Sequence, residues 1–108
     1  MKGDRLGEFE ELTLLAVRAL GDRTYAVPVQ QFVEEATGRH VALGAVYAAL
    51  ARLEQKGYLR SSMSEAVARR GGKAKRLYDV TPLGLRTARE VHKVRERIWH
   101  TILEGRRS

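Results

Sequence analysis

The hydrophobic pattern of this 108-residue chain changes its period part-way along, and this change constrains the fold more than any other feature. Apolar residues recur at spacings of three and four in three successive segments, which predicts helices over about 6–20, 28–37 and 44–56. That period is lost over 58–63 and 74–80, which have the composition of β-strands. Three helices followed by two short strands predict a mainly α-helical domain with a small β-hairpin.

A final helix completes the series. Thr81-Pro82 places a hydroxyl cap before a proline at the first helical position, which predicts a helix from there to about Leu103. The two strands enclose a segment with Gly71-Gly72, so the hairpin has a projecting tip. Three helices followed directly by a hairpin form the plan of a winged helix-turn-helix, whose third helix lies in the major groove of DNA. We expect a winged helix-turn-helix domain over 1–81 and a long C-terminal dimerisation helix over 82–108, together forming one compact unit.

The apolar face of each helix predicts the core. In the third helix Val46, Leu50 and Leu53 fall within one narrow stripe. In the final helix Leu83 and Leu85 are expected to face the core near the hairpin. The predicted core face of the first helix consists of Phe9, Leu12, Leu15, Ala16, Ala19 and Leu20.

Length and composition exclude several classes of protein. A chain of 108 residues is one domain, too short for a Rossmann enzyme, a barrel hydrolase or a two-domain catalyst. It has no cysteine, which excludes a disulfide scaffold, a thiolate zinc site and a cysteine nucleophile, and the sequence has no credible Ser-His-Asp constellation. No apolar run approaches the roughly 18 residues of a membrane span, and the first residues lead into no signal-peptide core. We therefore expect a cytoplasmic protein that is not an enzyme, uses no cofactor and has no membrane partner.

The positive charge of the chain lies in its second half. Residues 1–56 carry 7 basic and 8 acidic side chains, whereas residues 57–108 carry 13 basic and 5 acidic ones. No acidic residue interrupts 66–78, the stretch that contains the tip of the hairpin. Such a patch attracts nucleic acid or an anionic membrane surface, although a charged loop also serves solubility alone. A membrane surface is disfavoured because these cations cluster on a loop rather than along an amphipathic helix.

Three short motifs resemble one family of regulators. Residues 45–59 (AVYAALARLEQKGYL) resemble the recognition-helix signature of PadR-like transcriptional regulators. Residues 78–84 (YDVTPLG) resemble the second wing strand and the start of the C-terminal helix of that family, and residues 20–27 (LGDRTYAV) occupy the place of the turn after its first helix. The resemblance covers about residues 8–90. It implies a winged-helix dimer of the short branch with a single C-terminal helix, a repressor that binds a palindromic operator and is open to control by a small molecule.

The exposed face of the third helix and the hairpin are the predicted DNA-binding surface. Ala45 and Ala48 let the helix approach the groove closely but offer only apolar contact to thymine methyl groups. Discrimination among bases is therefore expected from Arg52, Gln55 and DNA shape. Tyr47 is expected to give its hydroxyl to a phosphate; the alternative is that it packs on its neighbours. The long cations of the hairpin are expected to reach the minor groove or flanking phosphates, and they are Arg69, Arg70, Lys73, Lys75 and Arg76.

The final helix carries an apolar stripe that continues beyond the expected limits of the domain. About 22 residues at 1.5 Å per residue make a helix too long to be covered by so small a body. Its distal part therefore needs a partner, most simply a second copy related by two-fold symmetry. The predicted dimer interface consists of Val91, Val94, Ile98, Trp99 and Ile102. Trp99 is either an anchor of this interface or the contact for a small, flat aromatic effector.

Two further patterns resemble binding motifs. His92, Glu96 and His100 lie on one helical face, but three ligands spread over two turns rarely converge on one ion, so no metal site is predicted. Gly71-Gly72-Lys73 lacks the GxxxxGK[ST] pattern and does not connect a strand to a helix, which argues against a nucleotide-binding loop. Surface polarity accounts for the histidines equally well.

Two functions remain open from the sequence. The first is a sequence-specific DNA-binding transcriptional regulator, a dimeric repressor on an inverted repeat, with double-stranded DNA and a second copy of itself as partners. The second is a winged-helix module that binds another protein and not DNA. Such modules usually lose the basic hairpin, and this chain keeps it, so the sequence favours the first.

Overall fold

The computed structural model describes residues 6–21, 23–65 and 74–105. Within them the elements, in chain order, are α1 (Glu8–Ala19), α2 (Ala26–Thr37), α3 (Leu43–Gln55), β1 (Leu59–Met63), β2 (Arg76–Val80) and α4 (Pro82–Leu103). The two strands pair antiparallel, with Leu59 opposite Val80 and Met63 opposite Arg76. The predicted winged helix-turn-helix with a long C-terminal helix is confirmed, and each element begins and ends within two residues of its predicted limits.

The core lies where α1, α2 and α3 meet. The predicted stripe of α3 is fully buried, and Val17 of α1 and Val29 of α2 pack in the same cluster. Tyr58 and Tyr78 extend this cluster to the hairpin. Because one side of α3 is buried in the core, its opposite side is exposed to solvent.

The buried face of α1 differs from the prediction. Thr13, Leu14 and Val17 are buried there. Thr13 is accommodated because its hydroxyl donates a 2.8 Å hydrogen bond to the carbonyl oxygen of Phe9, so the buried polar group has a partner. The prediction used the spacing of apolar residues alone and therefore left out Thr13. As a result, the predicted buried face was displaced around the helix from the observed one. The predicted core residues that are exposed instead are Leu15, Ala19 and Leu20.

Thr24, between α1 and α2, forms an isolated antiparallel β-bridge with Tyr78 of β2. The sequence did not predict this contact. The backbone N–H of Tyr78 donates to the carbonyl oxygen of Thr24 at 2.7 Å, and the N–H of Thr24 donates to that of Tyr78 at 3.4 Å. The preceding Arg23 has a φ of 51°, and its N–H donates to Oδ1 of Asp79 at 2.8 Å. The turn before α2 is therefore tied to β2, which places the start of α2 beside the hairpin.

Thr81 joins the end of α3, the hairpin and α4. Its hydroxyl oxygen accepts a 3.0 Å hydrogen bond from the N–H of Gly84, which caps α4, and donates a 2.7 Å hydrogen bond to the carbonyl oxygen of Gly57. The backbone N–H of Thr81 donates to the carbonyl oxygen of Tyr58 at 3.0 Å. The predicted cap is thus confirmed, and it also fixes the direction in which α4 leaves the hairpin.

The part of α4 that faces the core is made of small residues, not the predicted leucines. Gly84 and Ala88 are buried, whereas Leu83 is exposed and Leu85 half-buried. A Cβ atom on Gly84 would lie 2.2 Å from the carbonyl oxygen of Tyr58, so α4 approaches the backbone too closely for a larger residue to fit. The prediction of Leu83 and Leu85 as the core face was wrong because apolar character alone does not reveal how closely two backbones approach.

Candidate nucleic-acid interface

The solvent-facing side of α3 carries small side chains. Gly44, Ala48, Ala51 and Gln55 lie opposite the buried stripe, and all are exposed. Three of these four residues have nothing beyond Cβ, so the helix backbone can approach another surface closely. Gln55 supplies an amide with both donors and acceptors.

The other predicted residues of α3 border this side on opposite flanks. Tyr47, with 54% of its surface exposed, lies on the flank toward the hairpin. Ala45 and Arg52 lie on the flank toward α1, where Ala45 borders a groove beside Phe9 and Arg52 is hydrogen-bonded to Glu10. The structure therefore has Ala45 and Arg52 on one flank of the exposed side of α3 and Tyr47 on the other.

A groove of about 570 Å³ separates α3 from the hairpin, and it brings three predicted site residues together. These are Tyr47, Lys75 and Arg76. The start of α2 closes the groove, and Nζ of Lys75 lies 4.9 Å from the ring centroid of Tyr25, a cation–π distance. Tyr25 was not predicted as a site residue because Lys75 lies 50 residues away in the chain, and the bridge between Thr24 and Tyr78 is what brings Tyr25 close to the hairpin. The remaining lining residues are Ala26, Val27, Met63 and Ala74.

Hydrogen bonds hold Arg76 at the edge of this groove. Nη1 of Arg76 donates to Oγ of Ser61 at 3.0 Å, and that hydroxyl donates to Oε2 of Glu54 at 2.6 Å. A guanidinium has five N–H donors, and this contact uses only part of that capacity. Arg76 is thus oriented by β1 and α3 while its side chain stays exposed.

Lys75 is placed by backbone pairing just outside the named strands. The N–H of Ser64 donates to the carbonyl oxygen of Lys75, and the N–H of Lys75 donates to Oγ of Ser64, each at 2.8 Å. The other predicted cations of the hairpin, Arg69, Arg70 and Lys73, lie outside the described residues.

Glu10 of α1 is a buried acid that contacts two cations, Arg52 of α3 and Lys56 directly after that helix. Its Oε2 accepts from Nε of Arg52 and its Oε1 from Nζ of Lys56, both at 2.7 Å, and Oε1 also accepts from the N–H of Gly7 at 3.2 Å. Burial alone would raise the pKa of Glu10, but the hydrogen bonds from Lys56, Arg52 and Gly7 outweigh it and lower this pKa to about 2. The role of Glu10 could not be predicted from the sequence, since its two cationic partners lie more than 40 residues away in the chain.

The predicted dimer residues lie on α4 and are mostly uncovered. An ion pair of 2.9 Å between Arg95 and Glu11 joins α4 to α1, and the described residues beyond it, 96–105, are all exposed. Val91 is half-buried. The other four have 48–58% of their surface exposed, and they are Val94, Ile98, Trp99 and Ile102.

The histidines of α4 pair with carboxylates of their own helix. Nε2 of His92 lies 3.9 Å from Glu96, and Nε2 of His100 lies 2.9 Å from Glu104. Within the described ranges, no three residues of the metal-ligating types His, Cys, Asp and Glu come together. The helices of those ranges include none that is both long and apolar enough to cross a bilayer.

Comparison with known families identifies the chain. A model of the transcriptional regulator PadR-like family matches residues 14–90. The chain belongs to this family. The resemblance noted from three short motifs is therefore confirmed, and this PadR-like protein is a DNA-binding transcriptional regulator rather than an enzyme. Family membership favours the first of the two functions that the sequence left open.

Solved structures share the fold. A PadR-like transcription factor from Bacteroides fragilis matches with a TM-score of 0.75 and 21% identity, over 91% of this chain and 89% of the other. A PadR-family regulator from Eggerthella lenta matches with a TM-score of 0.63 and 26% identity, over 91% and 81%. A transcriptional regulator from Clostridium thermocellum matches with a TM-score of 0.69 and 21% identity, over 89% and 88%. No curated protein sequence matches this chain significantly.

Proposed function

We propose that this PadR-like regulator is a homodimeric repressor that binds an inverted-repeat operator in double-stranded DNA. The groove between α3 and the hairpin carries the proposal, because it joins Tyr47 of the recognition helix to Lys75 and Arg76 of the wing. A groove lined by a hydroxyl and two cations suits a phosphate backbone.

Base contacts in this proposal are few. The small residues of α3, including Ala45 and Ala48, enter the major groove and touch thymine methyl groups, while Gln55 and Arg52 supply hydrogen bonds to base edges. Tyr25 joins the phosphate contacts of Tyr47 and Lys75, and Arg69, Arg70 and Lys73 add further phosphate contacts. Discrimination then depends partly on DNA shape.

Duplex binding at several salt concentrations tests this surface. If a dimer neutralises about six to ten phosphates, its affinity should fall by about 10³–10⁵ between about 50 and 200 mM salt. We would compare Lys75→Gln/Arg76→Gln with Lys93→Gln/Arg97→Gln, which removes the same charge from exposed cations of α4. The first variant should bind more weakly, with a salt slope smaller by about 0.9 for each phosphate that it no longer neutralises. Equal slopes for the two variants would contradict the assignment.

The exposed stripe of α4 supports the dimer. Side chains such as Ile98 and Trp99 are more than half exposed, and a soluble domain gains by covering them. Two copies with α4 packed across a two-fold axis would bury both stripes and set the two α3 helices about 34 Å apart, one turn of DNA.

Sedimentation of two charge-matched variants tests the dimer. Ile98→Glu adds one negative charge within the stripe, whereas Lys93→Gln removes one positive charge from the opposite side of α4. The first should sediment as a monomer at concentrations where the second and the wild type are dimers. A dimeric Ile98→Glu variant would show that another surface joins the two copies.

Repression and an effector complete the proposal. Occupancy of an operator would hinder the polymerase, so deletion of the gene should raise expression from a reporter driven by the DNA upstream of it. An aromatic effector would stack on Trp99 at the dimer seam and release DNA, and Trp99→Ala would then abolish induction but leave dimerisation intact. Loss of the dimer in Trp99→Ala would instead assign Trp99 to the interface.

A further inference from the structure

The ion cluster at Glu10 lies against the recognition helix. Glu10 has 9% of its side chain exposed, and Arg52, with 51% exposed, reaches from its carboxylate to the solvent on the α1 flank of α3. Lys56, with 18% exposed, contacts the other carboxylate oxygen. One buried negative charge thus faces two positive charges, one on α3 and one at its C-terminal cap.

This arrangement restricts Arg52. An arginine side chain is long and has many rotamers, so an unattached guanidinium can contact phosphates along any sequence. In this protein its Nε is held at 2.7 Å by a carboxylate that is itself buried, while about half of the side chain stays exposed. A fixed donor geometry is what hydrogen bonds to particular base edges require.

The carboxylate of Glu10 also lowers the net positive charge beside α3. Sequence-independent binding to DNA rises with every cation that replaces a counterion on a phosphate. Arg52 and Lys56 lie one turn apart on the same flank, and the charge of Glu10 offsets part of theirs. Without Glu10 the exposed Arg52 would lose the carboxylate that holds it and would be available to the phosphates of any duplex.

We propose that Glu10 is a positioning residue for DNA recognition, which fixes the Arg52 guanidinium and withholds it from sequence-independent binding. This inference rests on the proposed binding of DNA by α3. It assigns Glu10 an effect on specificity without any contact to DNA.

The test compares two acid-to-amide variants of α1. Glu10→Gln removes the carboxylate that holds Arg52 of α3, whereas Glu11→Gln changes the net charge equally but removes the carboxylate 2.9 Å from Arg95 of α4. The probes are a duplex that the wild-type protein enriches from a randomised pool and a scrambled duplex of the same composition. Binding to both is measured by fluorescence anisotropy across a salt series.

For Glu10→Gln we expect affinity for the scrambled duplex to rise about tenfold near 0.1 M salt, with a salt slope steeper by about 0.9 per newly engaged cation. The ratio of selected to scrambled affinity should fall by about tenfold or more. Glu11→Gln should keep the wild-type ratio. If Glu10→Gln and Glu11→Gln behave alike, the inference is wrong, while a wild-type protein that binds no duplex in dilute salt refutes the proposed function itself.

A second variant keeps the test valid if Glu10→Gln does not fold. Glu10→Gln/Lys56→Met removes the more buried cation together with the acid, so Arg52 is freed while the net charge of the chain stays unchanged. It should lose discrimination between the two duplexes as well. A wild-type ratio in this folded variant would overturn the positioning role of Glu10.

Discussion

Replacing Gly84 by alanine tests the contact that seats α4 on the hairpin. A Cβ at this position would lie 2.2 Å from the carbonyl oxygen of Tyr58, and 3.0 and 3.1 Å from its carbonyl carbon and Cα. In an unobstructed helix, glycine to alanine stabilises a protein by about 0.5–1 kcal/mol. A loss of stability in Gly84→Ala must therefore come from this close approach.

The size of the loss follows from how far α4 must move. Ordinary contacts of a Cβ begin near 3.4 Å, so α4 would have to withdraw by roughly 1 Å, and the atoms in its way are backbone and not a flexible side chain. That movement strains the 3.0 Å hydrogen bond from Thr81 to Tyr58 and loosens the packing of Ala88. Overpacking costs about 1–3 kcal/mol and a weakened hydrogen bond about 1 kcal/mol, so we expect a net loss of about 2–3 kcal/mol.

Thermal and urea denaturation at matched protein concentration measure this effect. A loss of about 2–3 kcal/mol should lower the Tm of a chain this size by about 10 °C or more. Gly44→Ala is the control, because a Cβ at that helical position meets no atom of the described residues within 4 Å. It should melt at or slightly above the wild type. If Gly84→Ala does the same, the reasoning from the close approach is refuted.

Three further predictions concern single polar groups. The pKa of Glu10 is lowered to about 2, against about 4.3 in an unfolded chain. The ionised carboxylate therefore adds at most about 3 kcal/mol to the free energy of unfolding, and this contribution is present above about pH 4.5 and lost as the pH falls toward 2. Melts over this range should show a smaller acid-induced loss for Glu10→Gln, and equal losses would contradict the lowered pKa. Thr81→Ala removes the cap of α4 and the hydrogen bond to Gly57, and by urea denaturation should cost about 1–2 kcal/mol, more than Thr81→Ser, which keeps the hydroxyl. Arg95→Gln breaks the ion pair between Arg95, whose side chain is 57% exposed, and Glu11, and should cost about 1 kcal/mol or less because the guanidinium remains in contact with water; a larger loss would show that this pair holds α4 in place.

Much of the fold could be predicted because its signals are local. The stripe of Val46, Leu50 and Leu53 repeats with the helical period, and these residues are fully buried as expected. Thr81-Pro82 is a helix start within two neighbouring residues, and α4 begins at Pro82. Signals of this kind need no knowledge of what lies across the molecule.

The candidate site was only partly predictable. The sequence named Tyr47, Lys75 and Arg76, but not that one groove joins them. Tyr25 was missed because it reaches that groove through the bridge between Thr24 and Tyr78, a contact between distant parts of the chain. Arg52 was predicted as a base contact without its buried partner.

The sequence by itself determined the order of helices and strands, the cationic hairpin and the apolar stripe of α4, since each follows from neighbouring residues and their spacing. Only the tertiary structure decided which face of α1 is buried, that α4 is seated through Gly84 and that Glu10 pairs with Arg52 and Lys56. The physical reason is that burial and ion pairing depend on what another element brings into contact. A threonine whose hydroxyl is already bonded, a glycine against a backbone carbonyl and an acid between two cations acquire their roles only when those elements meet.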